Sequence, residues 1–306
     1  MADKPSRALV VYGDGFVPLV RPSHAHIHSL ASLASCGFLS VRSPPPSATE
    51  EDRSIHELAL LLDAHDSEAT ISERFMGLKA CMFTASPGVT SFARKLGFSV
   101  SRIDDLINCD ATEELLRLLG FEGGEVLEKS EFDMVFLHVG SGEKKFGIGW
   151  IDALVGRVIG VAQTQSRVAS RLHLSLIFSY GDIPEEKENV SAGLVSRGRG
   201  NSDLCLLRPR QSYTTRGGKL LDDIRHHHPM LIAQWQDAVT RRGTAKQFSF
   251  TEFEEGHLVE DIVKIFHSIF SDPDYALWHG VNLAMLADRF LHEVAFKLWK
   301  APKYGA

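Results

Sequence analysis

The chain has 306 residues, of which 44% are hydrophobic and 24% are charged, values close to those of ordinary globular proteins. This length supports one large α/β domain or two smaller ones, with ample chain for a packed core, and we expect a single domain over residues 1–306. A formal net charge of −6 argues against general nucleic-acid binding, because nucleic-acid-binding proteins usually carry a basic excess. The four cysteines show no C-x-x-C spacing, which favours buried thiols in a reducing compartment over a disulfide framework or a zinc site.

No apolar run in the sequence approaches the length that a membrane-spanning helix needs, and the first residues lack the apolar core of a signal peptide. We therefore expect no membrane association. The expected location is the cytoplasm, with the nucleus as an open alternative.

Strand-like and helix-like patterns alternate along the first 180 residues. The strand-like runs are almost continuously apolar, which is typical of strands covered on both faces. They lie at 8–12, 77–84, 132–139 and 171–180. Helical patterns occupy 26–37, 54–65, 88–97, 112–120 and 150–163. This alternation predicts a three-layer α/β/α sandwich with a mainly parallel, doubly wound sheet.

The remaining segments are less regular. Residues 41–54 combine prolines with charges and residues 181–203 are polar and rich in glycine, so both are predicted to be flexible surface. Residues 204–213 are predicted to form a strand, and 229–239 either a strand or a short helix. The C-terminal region 251–300 is predicted to be mainly helical, with an apolar stripe in its second half.

Asp14 follows the first apolar strand and stands between Gly13 and Gly15. Ligands of doubly wound sheets bind at the carboxyl ends of the strands, so Asp14 is a candidate metal ligand. The alternative is a turn residue, since flanking glycines permit the unusual backbone angles of a tight turn.

Two groups of histidines are further candidate metal ligands. His26 and His28 belong to "SHAHIHS", where alternate imidazoles would share one face of a strand, although a helix would separate them. His227 lies in "RHHHP", where one histidine could join ligands from elsewhere. In both groups the alternative is an ordinary surface or packing role.

Two segments are candidates for anion binding. In "HVGSGEKKFG" the backbone amides of Gly140 and Gly142 could hold a phosphate and Lys144 could neutralise it, although the P-loop spacing is absent. In "RPRQSY" the guanidinium groups of Arg208 and Arg210 suit phosphate or carboxylate groups. A solvated edge strand explains the second segment equally well.

The order of these segments resembles the alkaline-phosphatase superfamily, particularly its cofactor-independent phosphoglycerate mutase branch. The resemblance is carried by "VVYGDGFVPLV" with the helical pattern after it, by "EFDMVFLHVGSGEKKFG" and by "RLHLSLIFSYGD". It implies a central sheet between helices and a site with two divalent metals, held by Asp and His beside a Ser or Thr nucleophile. The whole chain is also similar to a group of uncharacterised plant proteins.

Most of the residues that this family uses to bind metal are replaced here. Asp14 matches the first aspartate, but Gly140 stands where a second aspartate is expected, and Asp182 is displaced and has no histidine beside it. One carboxylate does not hold a hard divalent ion, which needs several donors in a defined geometry. No cofactor is therefore expected in the favoured interpretation.

The favoured hypothesis is a non-catalytic, phosphatase-like binding protein whose partner is another protein or a phosphorylated small molecule. The first alternative is a metal-dependent phosphohydrolase or phosphomutase with a rearranged site that uses manganese or zinc, bound by Asp14, Asp182 and a histidine. The second alternative is a structural subunit of a larger assembly. In that case the aromatic side chains Phe290, Phe296 and Trp299 would form an interface instead of packing on the sheet.

Overall fold

In a computed structural model, the protein is built around a central sheet of eight strands. The model describes residues 5–181, except 46, 66, 68, 108, 141, 144 and 164–165, together with 215–216, 219–221, 223–225, 228–237 and 284–302. The strands of the sheet are β1 (Arg7–Asp14), β2 (Ser35–Ser40), β3 (Ala80–Thr84), β4 (Ser99–Arg102), β7 (Met134–Gly140), β8 (Leu172–Phe178), β11 (Met230–Gln236) and β12 (Ala284–Leu286). Two short hairpins lie outside it: β5 (Phe121–Glu122) with β6 (Glu125–Val126), and β9 (Thr215–Arg216) with β10 (Lys219–Leu220).

The strand order is β12-β2-β11-β8-β1-β7-β3-β4. Only β11 runs against its neighbours β2 and β8, while the other pairings in this sheet are parallel. β1 lies in the centre, and its last residue, Asp14, is level with Gly140 at the end of β7. The carboxyl ends of β1, β7, β8 and β3 therefore meet at one edge of the sheet.

Helices cover both faces of the sheet. They are α1 (Ala25–Leu33), α2 (Glu50–Leu61), α3 (Ile71–Arg74), α4 (Pro87–Lys95), α5 (Ala111–Leu118), α6 (Ile148–Val161) and α7 (Phe290–Lys297). One apolar cluster joins α1, α5 and α6 to one face of β1 through residues such as Leu9 and Val11. A second cluster joins α2, α4 and α7 to the opposite face through Ala8 and Val10. This arrangement confirms the predicted three-layer, mainly parallel α/β sandwich.

The structure corrects several predicted element bounds. The helix predicted at 26–37 ends at Leu33, and Ser35–Ser40 forms β2, because this segment pairs with β11 and β12 from far along the chain. Residues 50–54, predicted to be flexible, form the start of α2. Residues 230–236 form a strand and not a helix.

In the C-terminal region, 284–286 form a strand before a short 3-10 turn and α7. The predicted segments 182–203, 204–213 and 251–283 lie outside the described residues.

Candidate functional site

The Asp14 carboxylate lies at the carboxyl end of β1 and is fully engaged by neighbouring side chains. Its Oδ1 atom accepts hydrogen bonds from Ser179 Oγ at 2.8 Å and from Arg53 Nη1 at 3.2 Å. Its Oδ2 atom accepts a hydrogen bond from Ser54 Oγ. Asp14 and Arg53 are buried, whereas Ser54 is half-buried.

Arg53 links Asp14 to a second buried carboxylate. Its Nη1 atom lies 3.3 Å from Glu57 Oε2, one helical turn further along α2. Glu57 also accepts a hydrogen bond from the Tyr12 hydroxyl at 3.0 Å and lies 3.7 Å from Arg225 Nη2. Two carboxylates and two guanidinium groups therefore form one buried, charge-balanced network, which we call the Asp14 network.

His138 and Thr84 form a polar pair beside the Asp14 network, on β7 and β3. Thr84 Oγ1 lies 2.9 Å from His138 Nδ1, and the imidazole is 5.7 Å from the Tyr12 ring, centroid to centroid. The other ring nitrogen, Nε2, is buried and has no hydrogen-bond partner among the described residues. Arg53 Nε and Glu57 Oε1 in the Asp14 network are likewise buried without a hydrogen bond among the described residues.

Burial and charge shift the pKa values of these groups in different directions. Burial alone would raise the pKa of Asp14, but Arg53, the Ser54 and Ser179 hydroxyls and His138 together hold it below its usual range. Burial raises the pKa of Glu57 despite the nearby guanidinium groups. Burial lowers the pKa of His138 to about 4, so this imidazole is neutral at pH 7.

Local sequence explains how the site is assembled. Gly13 allows β1 to lie against Phe178, since a Cβ atom there would be 2.7 Å from the Phe178 ring. Gly15 adopts a φ of 79°, in the region that favours glycine, and its N–H donates to Ser179 Oγ at 2.9 Å. Gly13 therefore admits the Phe178 ring beside β1, whereas Gly15 turns the chain after the strand and positions Ser179, which donates to Asp14.

Helix α2 carries Arg53 and Ser54 to Asp14 from the first turns of the helix. The helix begins with a capping box, in which the Thr49 side chain accepts from the Asp52 N–H and Asp52 accepts from the Thr49 N–H. This cap satisfies the first amides of the helix and fixes where its first turns begin.

The loop after β7, predicted to bind anions, holds a carboxylate of its own chain. The Gly140 N–H donates to Glu143 Oε1 at 3.3 Å, and burial raises the pKa of Glu143. Gly142 is exposed in the same loop. Lys144, Arg208 and Arg210, the cations predicted for this site, lie outside the described residues.

The predicted metal ligands are only partly within the described residues. His26 is exposed on α1 against Gly156, and His28 contacts the carbonyl oxygen of Arg21 at 3.0 Å through Nε2. Both lie on a helix, so the strand geometry considered for them is not the one they adopt. Asp182 and His227 lie outside the described residues.

The described residues do not fit the two-metal centre that the resemblance implies. No group of three or more His, Cys, Asp or Glu side chains within them is arranged to hold a metal ion. The position facing Asp14 is taken by the Arg53 guanidinium, a cation that neutralises the carboxylate from inside the protein. A divalent ion bound to Asp14 would have to displace this guanidinium.

Several residues of the site were not predicted from the sequence: Tyr12, Arg53, Ser54, Glu57, Thr84 and Ser179. A signal was present in α2, where Arg53 and Glu57 have the i, i+4 spacing of a helical ion pair. The buried residues Leu58 and Leu61 follow closely and place this pair toward the interior.

The protein is a three-layer α/β sandwich with a buried ionic site at the carboxyl ends of its central strands. Eight chains of solved structures are similar to this chain, and two of them are described here. One is the PH0037 protein from Pyrococcus horikoshii, with 13% identity and a TM-score of 0.45 over 89% of this chain and 98% of that one.

The other is a protein in the alkaline phosphatase superfamily from Vibrio parahaemolyticus, with 11% identity and a TM-score of 0.42. This match covers 78% of the present chain and 62% of the Vibrio protein. No family model matches the sequence, and no curated protein matches it. Within the described residues, no helix has the length and apolar character to span a membrane.

Proposed function

We propose that this chain is a non-catalytic, phosphatase-like binding protein. The observation that carries the proposal is the Asp14 carboxylate, which is neutralised by Arg53 and capped by Ser54 and Ser179. In a metal-dependent phosphoester enzyme such a carboxylate must face the metal. Here it serves to hold α2 and the end of β8 against the end of β1.

The loop after β7 favours a phosphorylated small molecule over a protein as the ligand. The Gly140 N–H already holds an anion, the Glu143 carboxylate, at the edge of the sheet where ligands of doubly wound folds bind. A phosphate group would take the place of this carboxylate on the same amide. The cations predicted from the sequence for this ligand are Lys144, Arg208 and Arg210.

The first experiment measures metal content. Protein incubated with Mn²⁺ or Zn²⁺ and then desalted is expected to retain far less than one ion per chain. The Asp14→Asn variant is the comparison and Asp104→Asn, at an exposed ion pair, is the control. The proposal would be rejected if the unmodified protein and Asp104→Asn retain stoichiometric metal and Asp14→Asn does not.

The second experiment measures ligand binding by calorimetry with glycerol phosphate as the probe. The Glu143→Gln variant removes the competing negative charge, so its affinity for the probe should rise several-fold. Glu128→Gln, at an exposed position outside the loop, should bind like the unmodified protein. Absence of binding in all three proteins would reject the phosphorylated ligand and favour a protein partner for the same binding role.

A metal-dependent phosphohydrolase or phosphomutase is the second candidate, and the unpartnered Nε2 atom of His138 favours it. A neutral imidazole with a free nitrogen is a common metal ligand. Under this candidate, phosphoester turnover should depend on added metal and should disappear in both His138→Gln and Asp14→Asn. Turnover that persists in these variants, or that is absent from the unmodified protein, would exclude it.

A further inference from the structure

A cleft separate from the Asp14 network lies between the 3-10 turn Ile103–Ile107 and helix α6. It has a volume of about 440 Å³, within the range of small-molecule sites. Its wall is largely apolar. The Trp150 ring packs edge-on against the Phe146 ring, with 4.9 Å between the ring centroids. The apolar residues that line it are Leu106, Ile107, Cys109, Ala111, Phe146, Trp150, Ala153 and Leu154.

The charged side chains at this cleft have one sign. Among the described residues that line it, those with a charge are Lys145 and Arg157, both cations with exposed ends. Ile107, a large apolar side chain that lines the cleft, is 48% exposed. The cleft therefore offers apolar surface and positive charge together, which suits a ligand with an apolar body and an anionic end.

Both cations can turn toward such a ligand without leaving a carboxylate unsatisfied. Arg157 pairs with Asp110 at 2.9 Å, but Asp110 also caps α5 by accepting from the Thr112 and Glu113 amides. Lys145 lies 3.7 Å from Asp104, which keeps a closer bond with Arg102 at 2.9 Å. Because exposed ion pairs contribute little, exchanging these partners costs little.

A neighbouring groove shows why the charge matters. It shares Thr112 and Arg157 with the cleft and has a similar volume, about 450 Å³. Its lining carries three acidic side chains, Asp110, Glu113 and Glu122, against two cations, Arg117 and Arg157. The cleft, whose charged lining residues are both cations, therefore suits an anion better than the groove does.

We propose that the cleft lined by Trp150, Lys145 and Arg157 is a binding site for an apolar monocarboxylate. The apolar body lies against Phe146, Trp150 and Leu154, and the carboxylate accepts hydrogen bonds from the guanidinium and ammonium groups. This site is independent of the proposed function and of the Asp14 network.

The experiment uses the full chain and compares decanoate with decan-1-ol, which has the same apolar body and no charge. Binding is measured by displacement of 8-anilinonaphthalene-1-sulfonate, an apolar anion whose fluorescence rises in apolar sites. Decanoate should displace the dye at lower concentration than decan-1-ol. In the Lys145→Gln/Arg157→Gln variant, decanoate affinity should fall about tenfold with decan-1-ol unchanged.

Two further variants test the location of the site. Ala153→Trp, at an exposed position on α6 that lines the cleft, should fill it and abolish displacement by both probes. Arg167→Gln, which removes an exposed cation outside the cleft, should leave decanoate binding unchanged. Unfolding midpoints of all variants verify that they are folded.

The proposal would be overturned by equal binding of decanoate and decan-1-ol, by unchanged decanoate affinity without the two cations, or by retained binding in folded Ala153→Trp. Failure to bind decanoate at all would also overturn it. None of these results bears on metal or phosphate binding at the Asp14 site.

Discussion

The Asp14 carboxylate is stabilised by a cation and hydroxyl groups that all come from distant parts of the chain. Arg53 and Ser54 come from α2 and Ser179 follows β8, so the carboxylate ties three segments together. Removing one member of a buried pair is costly because the partner charge stays buried without compensation. The Asp14 network is therefore expected to matter for folding as well as for the site.

The Asp14→Asn substitution tests this role. It removes one of the two buried negative charges that compensate Arg53, so we expect the free energy of unfolding in urea to fall by about 2–4 kcal/mol. Arg53→Met alone would remove the cation that faces Asp14, whereas Asp14→Asn/Arg53→Met removes both charges of this pair, so the double variant should lose less than the sum of the single ones. Asp104→Asn, at an exposed pair, should change stability by less than about 0.5 kcal/mol. An Asp14→Asn variant as stable as the unmodified protein would contradict this role.

His138 should make stability depend on pH in the acid range. Its folded-state pKa of about 4 lies below its ordinary value of 6.5, so the unfolded chain binds a proton more readily than the folded protein. The contribution is complete above pH 6.5 and is lost as the pH falls toward 4, by up to about 3 kcal/mol. His173, whose pKa burial also lowers, acts in the same direction.

Urea unfolding of the His138→Gln variant between pH 7 and pH 4 checks the sign and size of this effect. The variant should lose less stability over this range than the unmodified protein, because Gln binds no proton. His26→Gln, at an exposed histidine on α1, is the matched control and should keep the original dependence. Parallel pH profiles for all three proteins would show that His138 is not responsible.

At the scale of single elements, the end of β1 depends on close packing at Gly13. A Cβ atom there would meet Phe178 Cδ1 at 2.7 Å and Cε1 at 2.8 Å, closer than such contacts occur. Phe178 is fully buried in the core and has little room to move. Gly13→Ala is therefore expected to destabilise the protein by about 1–3 kcal/mol.

Gly142→Ala is the control for this substitution, because a Cβ atom at Gly142 would meet nothing within 4 Å. It should change the free energy of unfolding by less than about 0.5 kcal/mol. If Gly13→Ala is as stable as Gly142→Ala, the tight contact between β1 and Phe178 does not constrain the site.

The elements that could be predicted from the sequence are those whose signal is local. The central strands β1, β3, β7 and β8 appear as apolar runs because both faces of the sheet are covered. β2 was missed because its Ala- and Ser-rich approach has a helical pattern. Its strand conformation depends on pairing with residues 230–234 and 284–286, and such distant partners leave no local pattern.

The same distinction applies to the site. Asp14 could be predicted because a strand leads directly into it. Arg53 and Ser54 could not, since charged residues in α2 resemble a solvated helix face and their burial follows from how α2 packs. Gly140 lies at the end of a strand, as predicted. The hydrogen bond from its amide to the Glu143 carboxylate could not be predicted from the spacing of these residues alone.

At the scale of the whole molecule, α7 packs against the sheet through part of its aromatic surface. Phe290 is fully buried in the apolar cluster that contains α2 and α4, whereas Trp299 is 66% exposed. Core packing of Phe290 was the favoured prediction and is confirmed. Of the three aromatic side chains considered for an interface, Phe290 is buried, Phe296 is half-buried and Trp299 is exposed, so Trp299 is the one available to a partner.

Matched alanine substitutions separate these two roles of the C-terminal region. Phe290→Ala leaves a cavity in the core and should lower the free energy of unfolding by about 3–5 kcal/mol. Trp299→Ala should change it by less than about 1 kcal/mol, because an exposed side chain loses little packing.

Molar mass from light scattering, measured for both variants and the unmodified chain, reports assembly directly. If Trp299→Ala lowers the molar mass while remaining folded, Trp299 belongs to an interface. A monomeric mass in all three proteins would count against the structural-subunit hypothesis and favour α7 as part of the core of a single chain.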